Sequence, residues 1–203
     1  MMATRDPRSE SLLQEAAVPS RINVIGTCGS GKSTFARRVA DQLRLPCVEM
    51  DALFWGPNWR QPSDAEFFAC VQAAVNEPAW VLDGNYTRTI PIKWARVQLV
   101  IWLDYPFHTT VWQAIKRAVK RAWSKEELWP GTGNRESFRK TFFSRESIIW
   151  WTLTTHGKVR AKYEAMLVDP QYAGVRFVRL RSHAEAADFL ERWKSPPADE
   201  TQA

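Results

Sequence analysis

With 203 residues, 45% of them hydrophobic, the chain has the material for one globular domain with a sizeable core and too little for two. No apolar run reaches the roughly 18 residues of a membrane helix, and Cys28, Cys47 and Cys70 are an odd number without metal-ligand spacing, so no membrane-spanning helix is expected and a reducing cytoplasm suits the chain better than a disulfide scaffold. The net charge of +6 is uneven, with nine Lys and Arg crowded into residues 116–145.

Residues 1–20 mix Arg5, Asp6, Arg8, Glu10 and Glu15 without an apolar segment and are expected to be a disordered leader to a domain spanning 21–194. Arg21 to Ile25 reads as a short apolar strand. Directly after it, Gly26-Thr27-Cys28-Gly29-Ser30-Gly31-Lys32-Ser33 fits G-x-x-x-x-G-K-[ST] at every fixed position. From Ser33 onward, Phe35, Ala36, Val39, Ala40 and Leu43 recur at helical spacing. A strand, a glycine loop and a helix in that order make a phosphate cradle. The glycines let successive N–H groups converge on one anion and the helix turns its positive end toward it. Lys32 adds charge, and Ser33, with Thr34 beside it, supplies a Mg²⁺ ligand and a phosphate contact. Cys28 reads as a small filler turned away from phosphate, with a redox-sensitive thiol as the alternative.

Pro46 to Met50 is a second strand, ending at Asp51, and Ala52 to Arg60 an aromatic loop broken at Gly56-Pro57. Ser63 and Glu66 have capping-box spacing at the head of a helix through Phe67, Cys70, Val71 and Ala74. Ala79 to Leu82 is a buried strand delivering Asp83, Gly84 to Arg88 a loop, and Val97 to Leu103 an apolar strand ending at Asp104. A helix from Phe107 leads through Val111, Ile115 and Val119 into the basic segment, which a turn from Trp129 to Asn134 interrupts. Helical patterning resumes at Glu136 and runs to Val168 as two helices broken near His156-Gly157. Val175 to Leu180 is the last strand, Ala184 to Trp193 the last helix, and the tail from Ser195 is loose. Five strands alternating with helices predict a three-layer α/β/α domain around a five-stranded parallel sheet. Gly26, Asp51, Asp83, Asp104 and Arg181 should then converge on the carboxyl rim, where such sheets bind ligands.

Phosphoryl transfer asks for positioning and charge neutralisation more than covalent chemistry. Asp83 and Asp104 compete for Mg²⁺, and Asp83 is preferred because Asp104, ahead of Tyr105-Pro106, is placed to cap a helix. Asp51 can orient or deprotonate an acceptor hydroxyl, or merely cap a turn. Phe54, Trp55 and Trp59 line an acceptor pocket or form a local cluster. Arg88 is a candidate phosphate clamp. Arg117 and Arg121 share a helix face, Arg135 and Arg139 repeat that spacing beyond the glycine-rich turn, and the four suit a lid over about residues 117–139.

The loop motif, the Leu82-Asp83-Gly84 strand end followed by Arg88, and the basic segment between helices resemble the nucleoside-monophosphate kinase group, which includes adenylate and shikimate kinases. More narrowly, DALFWGPNW, WVLDGNYTRT and FFSRESIIWW resemble bacterial topology modulation proteins, or adenylate-kinase-like ATPases, over about residues 21–193. The resemblance implies a P-loop kinase: residues 26–34 bind ATP, Ser33 and Asp83 bind Mg²⁺, and Lys32, Asp51, Arg88, Arg117, Arg121 and Arg135 serve the transfer. Adenylate kinases carry a Phe-Pro pair where Asn85-Tyr86 stands here, so the acceptor stays open between a hydroxyl metabolite and a nucleotide. The alternative is a regulatory ATPase whose basic surface contacts nucleic acid; the chain shows no recognisable nucleic-acid-binding motif.

Overall fold

A computed structural model of the chain describes residues 18–124, 127–135 and 148–193. Five strands, β1 (Arg21–Gly26), β2 (Cys47–Glu49), β3 (Trp80–Asp83), β4 (Leu99–Leu103) and β5 (Arg176–Leu180), form one parallel sheet in the order β2-β3-β1-β4-β5. The helices are α1 (Lys32–Leu43), α2 (Met50–Phe54), α3 (Asp64–Asn76), α4 (Ile90–Lys93), α5 (Phe107–Ser124), α6 (Ile148–Val168) and α7 (His183–Arg192).

Strand alternation builds the layers. Leu99, Ile101 and Leu103 of β4 join Phe35 and Val39 of α1 and Phe189 of α7 in one core, whereas Val100 and Trp102 point to a second core with Phe67 and Val71 of α3 and Tyr163 of α6. A sheet apolar on both faces must be covered on both, and the result is the expected three-layer α/β/α domain. The register pairs Val24 with Asp83, Gly26 with Leu103 and Leu103 with Leu180, so the strands end level and the residues after them share one rim. The capping box at Ser63 forms as expected, with the Glu66 N–H donating to Ser63 Oγ at 3.2 Å and the Ser63 N–H to Glu66 Oε2 at 2.7 Å.

Three expectations need correction. Asp51 does not end β2 but lies in the first turn of α2, because Met50 and Phe54, four residues apart, are both buried and wind the start of the aromatic loop into a helix. The chain from Ile148 to Val168 is one helix that runs through Gly157. A helical glycine costs only about 1 kcal/mol, and burial of His156 and Tyr163 on either side outweighs it. Asp104 makes an ion pair instead of a helix cap: its Oδ2 accepts from Arg179 Nε at 2.9 Å and faces Arg160 at 3.6 Å. Of the expected leader, Ser20 already belongs to the domain, its carbonyl accepting from Trp80 N–H at 2.7 Å. The rest of the leader before residue 18, the tail, and the restart at Glu136 lie outside the described residues.

Candidate active site

β1 delivers the chain to Gly26, where a side chain has no room: a Cβ would sit 2.6 Å from Ser30 Oγ and 2.8 Å from the Leu103 carbonyl. Gly29 is left-handed (φ 82°) and presses on α5, where a Cβ would meet the Thr110 carbonyl at 2.4 Å. The loop is thereby wrapped between β4 and α5. Gly31 opens α1, whose first turn has neither a side-chain cap nor an acidic residue; its N–H groups are left for an anion. Inside the loop, Thr27 Oγ1 and Ser30 Oγ are buried without a hydrogen-bond partner. Lys32 and Ser33 are half-buried at the mouth and Thr34 is exposed.

Asp83 stands at the end of β3, beside this mouth. It is 6% exposed, and its Oδ1 has no partner. Burial pushes its carboxyl above the ordinary range, the Lys32 charge and a hydrogen bond from Ser33 oppose the rise, and Asp51 and Glu49 add to it. A buried carboxylate oxygen without a donor, next to a hydroxyl and a phosphate loop, suits a hard divalent cation. Ser33 and Asp83 therefore fit Mg²⁺. Asp104, occupied by two arginines, does not.

On the other side of Asp83 lies an aromatic group. Tyr86 OH donates to Asp51 Oδ1 at 2.7 Å, and Phe54 packs on Tyr86, Phe67 and Trp55 with ring centroids 5.2, 5.0 and 4.9 Å apart. Trp55 continues to Trp59 and Trp59 to Trp129. Arg88 lies over the Phe54 and Phe67 rings and is paired with Asp64 at 2.7 Å.

No protein-family model matches the chain, and no curated protein matches it. Solved structures do. A shikimate kinase from Acinetobacter baumannii in complex with shikimate is 15% identical, with 91% of this chain and 93% of that one covered and a TM-score of 0.52. The likeness is one of fold, a three-layer α/β/α domain around a five-stranded parallel sheet. A gluconokinase from Sinorhizobium meliloti 1021 (14% identical, 87% and 90% covered, TM-score 0.45) and a sugar kinase from Janibacter sp. HTCC2649 (15% identical, 84% and 90% covered, TM-score 0.41) are more distant in shape.

In this fold the basic segment divides. Arg117 belongs to α5 and reaches the phosphate loop, one terminal nitrogen lying 3.1 Å from Cys28 Sγ, so the thiol is turned toward a cation. Arg121 follows one turn later in α5, while its side chain and Arg139 lie outside the described residues. Arg135 is exposed and pairs with Glu127 in an isolated bridge closing the turn between them. That turn is well held. Asn134, fully buried, accepts from Trp59 N–H at 2.8 Å and donates to the Gly56 carbonyl at 3.0 Å, and Asn58 N–H donates to the Thr132 carbonyl at 3.1 Å. Residues 127–135 thus sit on the aromatic loop. Sequence reasoning missed Asn134 together with Tyr86, Asn85 and Lys93. Lys93 alone left a trace, a lone cation in the apolar run Ile90-Pro91-Ile92-Lys93-Trp94.

Proposed function

We propose that the protein is an ATP- and Mg²⁺-dependent phosphotransferase that moves the γ-phosphoryl group of ATP to a hydroxyl of a small acceptor. One observation carries the reading: Glu49 of β2 pairs with Asp83 of β3, so the exposed Asp51 carboxylate, two residues further on and held by Tyr86, stands at the same sheet rim as the buried Asp83 beside the phosphate loop. The acceptor oxygen attacks the γ-phosphorus, the bond to the bridging oxygen of the departing ADP breaks, and the hydroxyl proton passes to Asp51 Oδ2. Tyr86 cannot take that proton. Burial and the Asp51 charge push its phenol far up, so it remains a donor and orients the base. Lys32 and the amides of residues 26–34 hold the phosphates, and Arg117, with Arg121 and Arg135 of the same basic segment, neutralises charge on the transferred group. Bound at Ser33 and Asp83, Mg²⁺ would supply charge neutralisation at the phosphate oxygens.

A hydroxyl suits this site better than a nucleoside monophosphate, because the Asp51 carboxylate repels a phosphate and can accept a hydroxyl proton. The test is to trace γ-labelled ATP across hydroxyl metabolites and nucleoside monophosphates. Label is expected in a hydroxyl compound, and Asp51→Asn is expected to slow that transfer by about 10² or more while nucleotide affinity persists. Label entering a monophosphate, or wild-type transfer by Asp51→Asn, would sink the hydroxyl reading.

A further inference from the structure

Between β1 and β3 the main-chain ladder stops just before the phosphate loop begins. Its last backbone rung runs from Gly84 N–H to the Val24 carbonyl at 3.2 Å. In a parallel pair the next residue of β1 to face β3 is Gly26, since one residue turns its N–H and C=O to the same neighbour. No peptide of β3 meets it. The side chain of Asn85 does: Oδ1 accepts from Gly26 N–H at 3.1 Å and Nδ2 donates to the Gly26 carbonyl at 2.7 Å. A carboxamide carries the same donor and acceptor as a peptide, so Asn85 extends the ladder by one rung, and only one orientation of the amide satisfies both bonds.

This arrangement takes the Gly84 and Asn85 carbonyls out of the sheet, where they need other donors. Lys93 supplies them. Its ammonium, fully buried, donates to the Gly84 carbonyl at 3.1 Å and also to the Asn85 carbonyl, and lies 3.8 Å from Met50 Sδ. Asn23 Nδ2 adds a second donor to the Gly84 carbonyl at 3.2 Å, and Met50 leaves no space for a Cβ on Gly84, which would sit at 2.8 Å. The turn is held from three sides.

We propose that Asn85 is a positioning residue for nucleotide binding: it grips the first peptide units of the phosphate loop from both edges of Gly26, and Lys93 anchors Asn85. The inference rests on the nucleotide reading above. Gly26 is the point where the chain leaves the sheet, so its tilt sets the direction of the N–H groups that follow. Those groups serve one anion only if they stay aligned before it arrives.

The test compares wild type with Asn85→Ala and with Asn85→Leu, which keeps the branched shape and removes both bonds. Titration calorimetry with MgADP is expected to show affinity about tenfold or more weaker in both variants, the scale of two lost hydrogen bonds. The ³¹P resonance of the bound β-phosphate is expected to move, which a loss of stability alone would not cause. A folded variant with wild-type affinity and resonance overturns the proposal. So does weaker affinity with an unmoved resonance. Should Asn85→Ala lose its fold, Asn85→Leu decides by the same two readouts. A wild-type protein that ignores MgADP overturns the nucleotide reading and this inference together, whereas variants that match a binding wild type overturn the inference alone.

Discussion

Lys93 shows how burial at one residue becomes a property of the whole protein. Removal from water, reinforced by the neighbouring Lys162 charge and partly offset by Asp83, lowers its ammonium from an ordinary 10.5 to about 7. Below that value both the folded and unfolded chains carry the charge, and folding bears the full cost of burying it. Between about pH 7 and 10 the unfolded chain holds a proton that the folded chain has lost, so stability rises with pH. Urea denaturation of wild type and Lys93→Met at about pH 6.5, 8 and 9.5 should show the difference moving in favour of wild type, by at most roughly 4 kcal/mol. A pH-independent difference counts against a titrating Lys93. Asp83 poses the converse problem: a buried carboxyl with one unpaired oxygen destabilises the ligand-free fold, and the proposed Mg²⁺ site would account for its presence. Asp83→Asn should melt at the wild-type temperature or above it without ligand, and the extra affinity for ADP that Mg²⁺ confers should shrink. A full Mg²⁺ effect in that variant would remove Asp83 from the metal site.

At the scale of elements, two segments distant in sequence act as one. Asn58 and Trp59 have left-handed backbones (φ 55° and 61°), which a side-chain-bearing residue adopts only when its surroundings insist. Asn134 and the Thr132 carbonyl supply that insistence by binding the N–H groups of both residues. Asn134→Ala strands the Trp59 N–H and the Gly56 carbonyl, a cost of about 1–3 kcal/mol. Hydrogen exchange at Asn58 and Trp59 should accelerate, and tryptophan fluorescence should report the parting of Trp59 from Trp129. Unchanged protection there would mean that the aromatic loop holds its own shape. Because the same turn ends at Arg135, residues 127–135 are tied to the aromatic loop, while Arg117 reaches the phosphate loop.

For the molecule as a whole, a nucleotide that binds only the folded state stabilises it by about 2.7 kcal/mol at a hundred times its dissociation constant. MgATP should therefore raise the melting temperature of wild type. Lys32→Ala, whose side chain is half-buried at the loop mouth and outside both cores, should keep the ligand-free melting temperature and lose the shift. An equal shift in both proteins would remove Lys32 from the phosphate site. Among the described residues no helix is long and apolar enough to cross a membrane.

The layered sheet and the phosphate loop were legible in the chain because both are local codes. The continuous apolar run of β4, helical spacing from Phe35 to Leu43 and the Ser63-Glu66 cap each span a few residues and need no distant partner. Glycines at 26, 29 and 31 likewise announce a backbone that must bend and approach closely, whatever packs around it. The roles of Asp51 and Asp104 could not be separated in the same way, since each is an aspartate near a strand end until Tyr86 in one case and Arg179 in the other comes from far along the chain. Asn85, Lys93 and Asn134 were illegible for the same reason. Each satisfies backbone groups on another segment, and backbone N–H and C=O groups are identical at every residue, so only the tertiary structure decides which of them will be left needing a partner.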